Sequence, residues 1–191
     1  GQRDVLLLAA NYFCMNYVFY MFSQWLFLYL VNERGFTVLE GGWLYALPFL
    51  TGAVLATVGG LTCDWACKRL GPRWGCRLPG AVGMFLVAVL LIAGASAPNP
   101  YVAVGLLSLC FGFTQFTEGS YWQACTFVAG PHTAAATGVM NTGGNLPGFL
   151  APLVGFMLDR FGWMPTLFSG SIFALIRVVL WLVVRIVEPG E

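Results

Sequence analysis

Glu118 stands inside an otherwise apolar stretch, the one carboxylate so deeply placed in the sequence. A charged acid at the centre of a bilayer costs on the order of 3 kcal/mol on insertion scales. A carboxyl held there can exchange a proton, pair with a cation, or stay neutral as a hydrogen-bonded link between helices. Gln115, Glu118 and Trp122 fall at i, i+3 and i+7, on one helix face, and Trp122 adds an aromatic wall and an indole donor. Tyr12, Asn16, Tyr20 and Gln24 follow one another at intervals of four and make a second polar stripe. Asn141 and Asn145 make a third, within Gly138-Val-Met-Asn141-Thr-Gly-Gly-Asn145-Leu-Pro147-Gly148. Amides, phenols and an indole at this spacing suit the polar wall of a cavity between helices. They do not suit bond-making chemistry: no Ser/His pair, His-rich motif or aspartate dyad accompanies them, so an enzyme is not expected. The competing reading of each stripe is helix–helix hydrogen bonding, about 0.6 kcal/mol per contact, or close packing by small residues. The tyrosine–asparagine stripe is longer than such packing needs, which favours a cavity wall.

These side chains need elements to hold them, and the composition says which. Hydrophobic residues make up 59% of the 191 residues and charged ones 9%, against about 25% charged in a soluble domain. Mean hydropathy is +0.79. The solvent that fits is lipid. A net charge of +1 provides no field for nucleic acid. A span needs ~20 apolar residues of helix, and six runs qualify: 5–31, 42–61, 78–95, 101–129, 135–157 and 166–187. Backbone in hydrocarbon must satisfy its own hydrogen bonds, so these runs are expected to be helices. The fold class expected is an all-α membrane protein of six transmembrane helices, with connections at 32–40, 63–77, 97–100, 130–133 and 159–165. Arg3, Lys68, Arg69, Arg73, Arg77 and Arg185 fall on one side of that topology, Arg34 and Arg160 on the other. The positive-inside rule then puts both termini in the cytoplasm, in a plasma (inner) membrane protein.

Other residues raise narrower expectations. Pro147 should kink the fifth run, and Pro48 admits a kink or simple packing. Arg177, inside the sixth run, either snorkels to the interface or joins an ion pair within the bundle. His132 lies in a short loop and suits a surface role. Cys14, Cys110 and Cys125 fall in apolar runs, as small hydrophobes. Cys63, Cys67 and Cys76 share the basic connection 63–77, but no His accompanies them, so neither a metal centre nor a cofactor is expected. No signal peptide is visible and the chain opens Gly-Gln-Arg-Asp, which suggests a start within a longer protein.

Three patterns together resemble the anion:cation symporter branch of the major facilitator superfamily. Cys14-x-Asn16-x3-Tyr20-x-Phe22-x2-Trp25-x3-Tyr29-Leu30 resembles the seventh span of that branch. Leu47-Pro48-Phe49, followed by Gly59-Gly60-x3-Asp64 and Lys68-Arg69, resembles the eighth span and the cytoplasmic loop after it. The third pattern, Gly138-Val-Met-Asn141-Thr-Gly-Gly-Asn145 with Gly148 and Pro152, resembles the eleventh. The resemblance implies that residues 1–191 are the C-terminal six-helix half, spans seven to twelve, with the N-terminal half absent. Each half of such a protein is built of inverted three-helix repeats. It implies secondary transport of a small organic anion, a sugar acid or other carboxylate, with a proton or sodium as partner ion. The lipid bilayer and an N-terminal six-helix half would be the other partners. On that resemblance Asn16, Tyr20, Trp122, Asn141 and Asn145 bind substrate, and Glu118 with Gln115 serves coupling or a polar network. Gln24, Asp64 and Arg69 contribute to gates. Two positions depart from the family: Tyr12 stands where a glutamine is usual, and Gly119 where a serine is, unless that serine is Ser120. The alternative is a six-span scaffold or inactive fragment that transports nothing.

Overall fold

In the computed structural model, which describes residues 2–186, every regular element is helical. Helix α1 (Gln2–Leu28) widens into a π-helical turn at Tyr29–Glu33. Then come α2 (Val38–Ser96), α3 (Pro100–Phe116) and α4 (Glu118–Ala129). A 3₁₀ turn at Gly130–His132 leads to α5 (Thr133–Asn145), and a second at Leu146–Leu150 to α6 (Ala151–Phe161). Helix α7 (Trp163–Val183) closes the described chain. The expected end of the sixth run, at residue 187, lies outside the described residues.

Four helical stretches are long and apolar enough to cross a membrane: Gln2–Glu33, Val38–Ser96, Pro100–Phe161 and Trp163–Val183. The six runs of the sequence are thus joined into four, because two expected connections are themselves helical. The largest difference is at 63–77. The helix continues to residue 70 and resumes at Pro72, leaving only Gly71 outside helical geometry, at φ 76° and ψ 165°. That conformation favours glycine. Around it the two arms of α2 fold close, since a Cβ on Gly75 would strike the backbone of Cys67. The charged side chains that suggested a loop, Asp64, Lys68, Arg69 and Arg73, are all exposed on helical turns instead.

Proline and threonine also break two expected helices. Pro147 has no N–H to donate, and α5 ends at Asn145 before the chain tightens through Leu146–Leu150. The fourth run is interrupted at Thr117, whose Oγ1 donates to the Thr114 carbonyl at 2.8 Å, as does its N–H at 3.3 Å.

The core is built by small residues that let helices touch. A Cβ on Gly119 would sit 2.8 Å from Gly60 Cα, and one on Gly52 would sit 2.9 Å from the Phe111 ring. Gly59 faces the Phe116 carbonyl in the same way. Contacts advance together along both sequences, so the first arm of α2 runs parallel to α3–α4. Backbone approach through small residues is the packing mode of helices in lipid. On the outside, Trp43, Leu50, Phe149, Ile172 and Val179 are exposed, an apolar shell suited to acyl chains.

Arg34 fastens one end of the bundle. Its guanidinium donates to the carbonyls of Gly94 (3.1 Å), Ala95 (2.8 Å) and Ala97 (2.7 Å) at the end of α2, and to Tyr29 Oη at 2.7 Å. These are helix-end carbonyls without intrahelical partners, where a cation is favoured. Arg34→Met is expected to destabilise the protein by about 1.5 kcal/mol, read as a lower Tm in detergent. Arg34→Lys should recover only part of the loss, because one ammonium cannot span three carbonyls. Nearby, Thr37 and Glu40 form a reciprocal cap at the start of α2. Hydrogen bonds donated by the Thr37 hydroxyl and backbone N–H hold the Glu40 carboxyl below the ordinary carboxylate range.

Candidate functional site

Helix α1 is the post against which α4, α5 and α7 lean. Its polar stripe meets α5 and the 3₁₀ turn that follows it at two glycines. A Cβ on Gly144 would strike the Tyr12 ring, and one on Gly148 would lie 3.0 Å from Tyr20 Cζ. The glycines of the asparagine-rich segment therefore let the α1 phenols lie flat on α5. Asn16 Nδ2 donates to the Gly144 carbonyl at 2.8 Å, and Asn16 is only 4% exposed. Its amide joins two helices rather than opening onto a hollow.

One turn on, Tyr20 Oη donates to Asn145 Oδ1 at 2.9 Å. Asn145 Nδ2 in turn donates to Asn141 Oδ1 (2.9 Å) and to the Asn141 carbonyl (2.7 Å). This relay crosses from α1 to α5 and ends at Asn141, which is exposed. Both Asn145 acceptor and donor functions are used, so the relay fixes the orientation of each amide. Tyr20, Asn141 and Asn145 are thus brought together, as their assignment to one site requires.

A second group forms around Tyr12. Its hydroxyl donates to Glu118 Oε1 at 3.4 Å; its ring stacks on Tyr121 at 4.3 Å between centroids and meets Trp122 edge-on at 5.6 Å. The break at Thr117 sets Glu118 in the first turn of α4, facing α1. Its second oxygen is buried without a hydrogen-bond partner among the described protein atoms, as is Gln115 Oε1. Gln115 does not join this group through its stem, which lies against Gly52 of α2.

Arg177 does not snorkel. It is 0% exposed, with Nε donating to Asn11 Oδ1 at 2.7 Å and Nη1 directed at Met84 Sδ at 3.5 Å. The alternative of an ion pair is not met directly either, because its partners are an amide and a thioether. Glu118 is nonetheless within Coulombic reach of it. Asn11 and Tyr121 are the residues that sequence reasoning missed. Asn11 sits one position off the α1 stripe, and its polarity inside an apolar run was the available signal.

Gln24 is exposed beside a shallow hollow that Tyr17, Tyr20, Trp25 and Pro147 line. A broader open hollow lies between the ends of α1, α4 and α5, lined by Gln2, Leu6, Val128, His132 and Val139. Neither hollow is lined by Asn16, Glu118 or Asn141: Asn16 bonds the Gly144 carbonyl, Glu118 faces Tyr12, and Asn141 is held by Asn145. Asp64 and Arg69 are exposed on the last turns before Gly71. Beside them the thiols of Cys63, Cys67 and Cys76 converge, all three sulfurs lying within 4.8 Å of one another.

Residues 2–152 match the profile described as Major Facilitator Superfamily. The chain is 32% identical over 177 residues to a probable sulfoacetate transporter of Cupriavidus necator, covering 89% of this chain and 40% of that protein. It is 26% identical over 187 residues to a probable galactarate/D-glucarate transporter of Escherichia coli K12, covering 96% and 41%. With a hexuronate transporter of Bacillus subtilis strain 168 it shares 29% identity over 175 residues, covering 89% and 40%. The chain therefore spans about two fifths of the length of these curated relatives. The family and these relatives are transporters, not enzymes.

Proposed function

Because this chain belongs to the major facilitator superfamily, we propose that it is the C-terminal six-span half of a secondary transporter for a small organic anion. Relatives that carry sulfoacetate, glucarate or hexuronate in their names support that substrate class. The six spans correspond to α1, the two arms of α2, α3–α4, α5–α6 and α7, as two inverted three-helix repeats. Both termini face the cytoplasm of a plasma membrane protein, as the arginine distribution favours.

The observation that carries this reading is the relay from Tyr20 through Asn145 to an exposed Asn141, next to the Tyr12–Glu118–Trp122 group. Hydrogen-bond donors held in place on one wall pay little ordering cost when an anion arrives. The opposite wall comes from the N-terminal half, and the two halves rock about a midplane site. Asn141, Asn145 and Tyr20 orient the anion's oxygens, and Trp122 supplies an aromatic side. Asn16 holds α5 against α1 so that the relay keeps its shape. Glu118 takes the coupling proton or sodium, within the field of Arg177, while Gln115, whose stem lies against Gly52 of α2, stays outside that group. Gln24 stands at the outer gate, and Asp64 and Arg69 at the cytoplasmic one.

Uptake by proteoliposomes of the full-length protein tests the substrate class. Labelled sulfoacetate, hexuronate and glucarate should include at least one saturable substrate that unlabelled carboxylates displace. Neutral sugars of the same size should not compete. Saturable uptake of a neutral or cationic solute alone would overturn the reading.

A further inference from the structure

We propose that Cys63, Cys67 and Cys76 form a three-thiolate site for one soft monovalent cation, with Cu(I) the best match. It does not depend on which substrate the protein carries. The site is built by the fold of α2 on itself. Cys63 and Cys67 are one helical turn apart on the first arm, and Cys76 lies on the second arm beyond Gly71. Gly75 allows the arms to close until its backbone touches that of Cys67, which no side chain at 75 would permit. The Cys67 and Cys76 sulfurs are 3.6 Å apart, and Cys63 completes a triangle whose sides are all within 4.8 Å. A metal–sulfur bond of about 2.3 Å sets three coplanar ligand sulfurs roughly 4 Å apart. The triangle needs only small rotations of the side chains to match.

The donor set chooses the ion. Thiolates are soft ligands and favour Cu(I), zinc or iron–sulfur clusters. Structural zinc sites are tetrahedral and take a fourth sulfur or imidazole. None stands here among the described residues: the single histidine of the sequence is His132, beyond α4. Cys63 Sγ instead meets Gln123 Oε1 at 3.0 Å, a hard and neutral oxygen. Three sulfurs without a fourth strong ligand fit a trigonal d¹⁰ monovalent ion. The absence of a histidine, which made a metal centre unexpected from the sequence, is therefore no obstacle to this one.

Charge and access agree with the proposal. Three thiolates around Cu(I) carry a net charge of −2, each thiol having released its proton to solvent. Exposed Lys68, Arg69 and Arg73 on the same turns can offset that charge, against a single exposed carboxylate, Asp64. Cys63 and Cys76 are 0% exposed, while Cys67 is half-buried and offers the way in. A bound ion would tie both arms of α2 together across their one non-helical residue.

The full-length protein, reduced and purified in detergent under anaerobic conditions, would be titrated with Cu(I) against a chromophoric Cu(I) chelator. One ion per chain should be held, with affinity falling about a hundredfold in C67S and in C76S. C14S and C110S should bind as the wild type does. X-ray absorption at the copper edge should show three sulfur neighbours. Each variant is first checked for unchanged elution and Tm, and C67A, at the half-buried position, serves if a serine variant misfolds. Wild-type affinity in C67S and C67A, loss of binding in C14S, or a two-coordinate copper would overturn the site. So would reduced protein that holds no Cu(I) and on mild oxidation simply loses the Cys67 and Cys76 thiols as a pair.

Discussion

Replacing Glu118 by Gln is expected to remove the response of uptake to external pH and to lower accumulation at acid pH about tenfold, the equivalent of ~1.4 kcal/mol. Glutamine keeps the oxygen that accepts from Tyr12 Oη, so the Tyr12–Tyr121–Trp122 stack should persist and Tm should change little. What is lost is the titratable oxygen. In the wild type one carboxyl oxygen is held by Tyr12, while the other is buried without a hydrogen-bond partner among the described residues. On the proposed function, that second atom is where a proton or sodium ion would come and go. Arg177 biases it electrostatically without an ion pair fixing it. If Glu118→Gln transports with the wild-type pH profile, the carboxyl is a structural link and coupling lies in the other half of the protein.

The second large effect is expected at Asn141. Its side-chain oxygen accepts from Asn145, which leaves its amide N–H groups as donors on an exposed face. A hydrogen bond to a charged group contributes about 1.5–3 kcal/mol. Asn141→Ala should therefore weaken anion binding by roughly tenfold to a hundredfold, measured as Kd on purified protein. Expression and Tm should stay near wild type, because Asn145 retains the Asn141 backbone carbonyl and Tyr20 retains Asn145. Asn141→Asp is the sharper control. It preserves shape and the acceptor, but sets a negative charge against an anion, so it should bind more weakly than the alanine variant. Wild-type affinity in both would remove Asn141 from the site.

The sequence disclosed the apolar runs well, because the bilayer demands lengths of helix that few other constraints imitate. It disclosed the polar stripes for a similar reason: i, i+4 spacing dictates a shared face in any helix. Tyr20 and Asn145 show that this logic reaches as far as a real cross-helix pair. It stops at direction. Asn16 belongs to the same stripe as Tyr20 but faces the Gly144 carbonyl, since the partner helix happens to place a glycine there. Connections were less legible. The cluster of charges at 63–77 reads as a loop, but exposed charges are equally at home on a helix that extends beyond the membrane, and a single glycine makes the turn. Arg177 and the thiol triangle depend on contacts between residues far apart in the chain: Arg177 with Asn11, and Cys63 and Cys67 with Cys76 after α2 folds back. Such contacts follow from packing, which one sequence does not display.

The account rests on the α1–α4–α5 seam being the wall of an aqueous path. Cysteine accessibility measures this directly. In full-length protein from which the native cysteines have been removed, N141C should react with a membrane-impermeant thiol reagent, and a bound organic anion should slow that reaction. I172C, exposed on the apolar surface of α7, should resist the same reagent whether or not the anion is present. If N141C is as inert as I172C, or reacts at the same rate with saturating anion, the polar face is a helix contact and not a transport path.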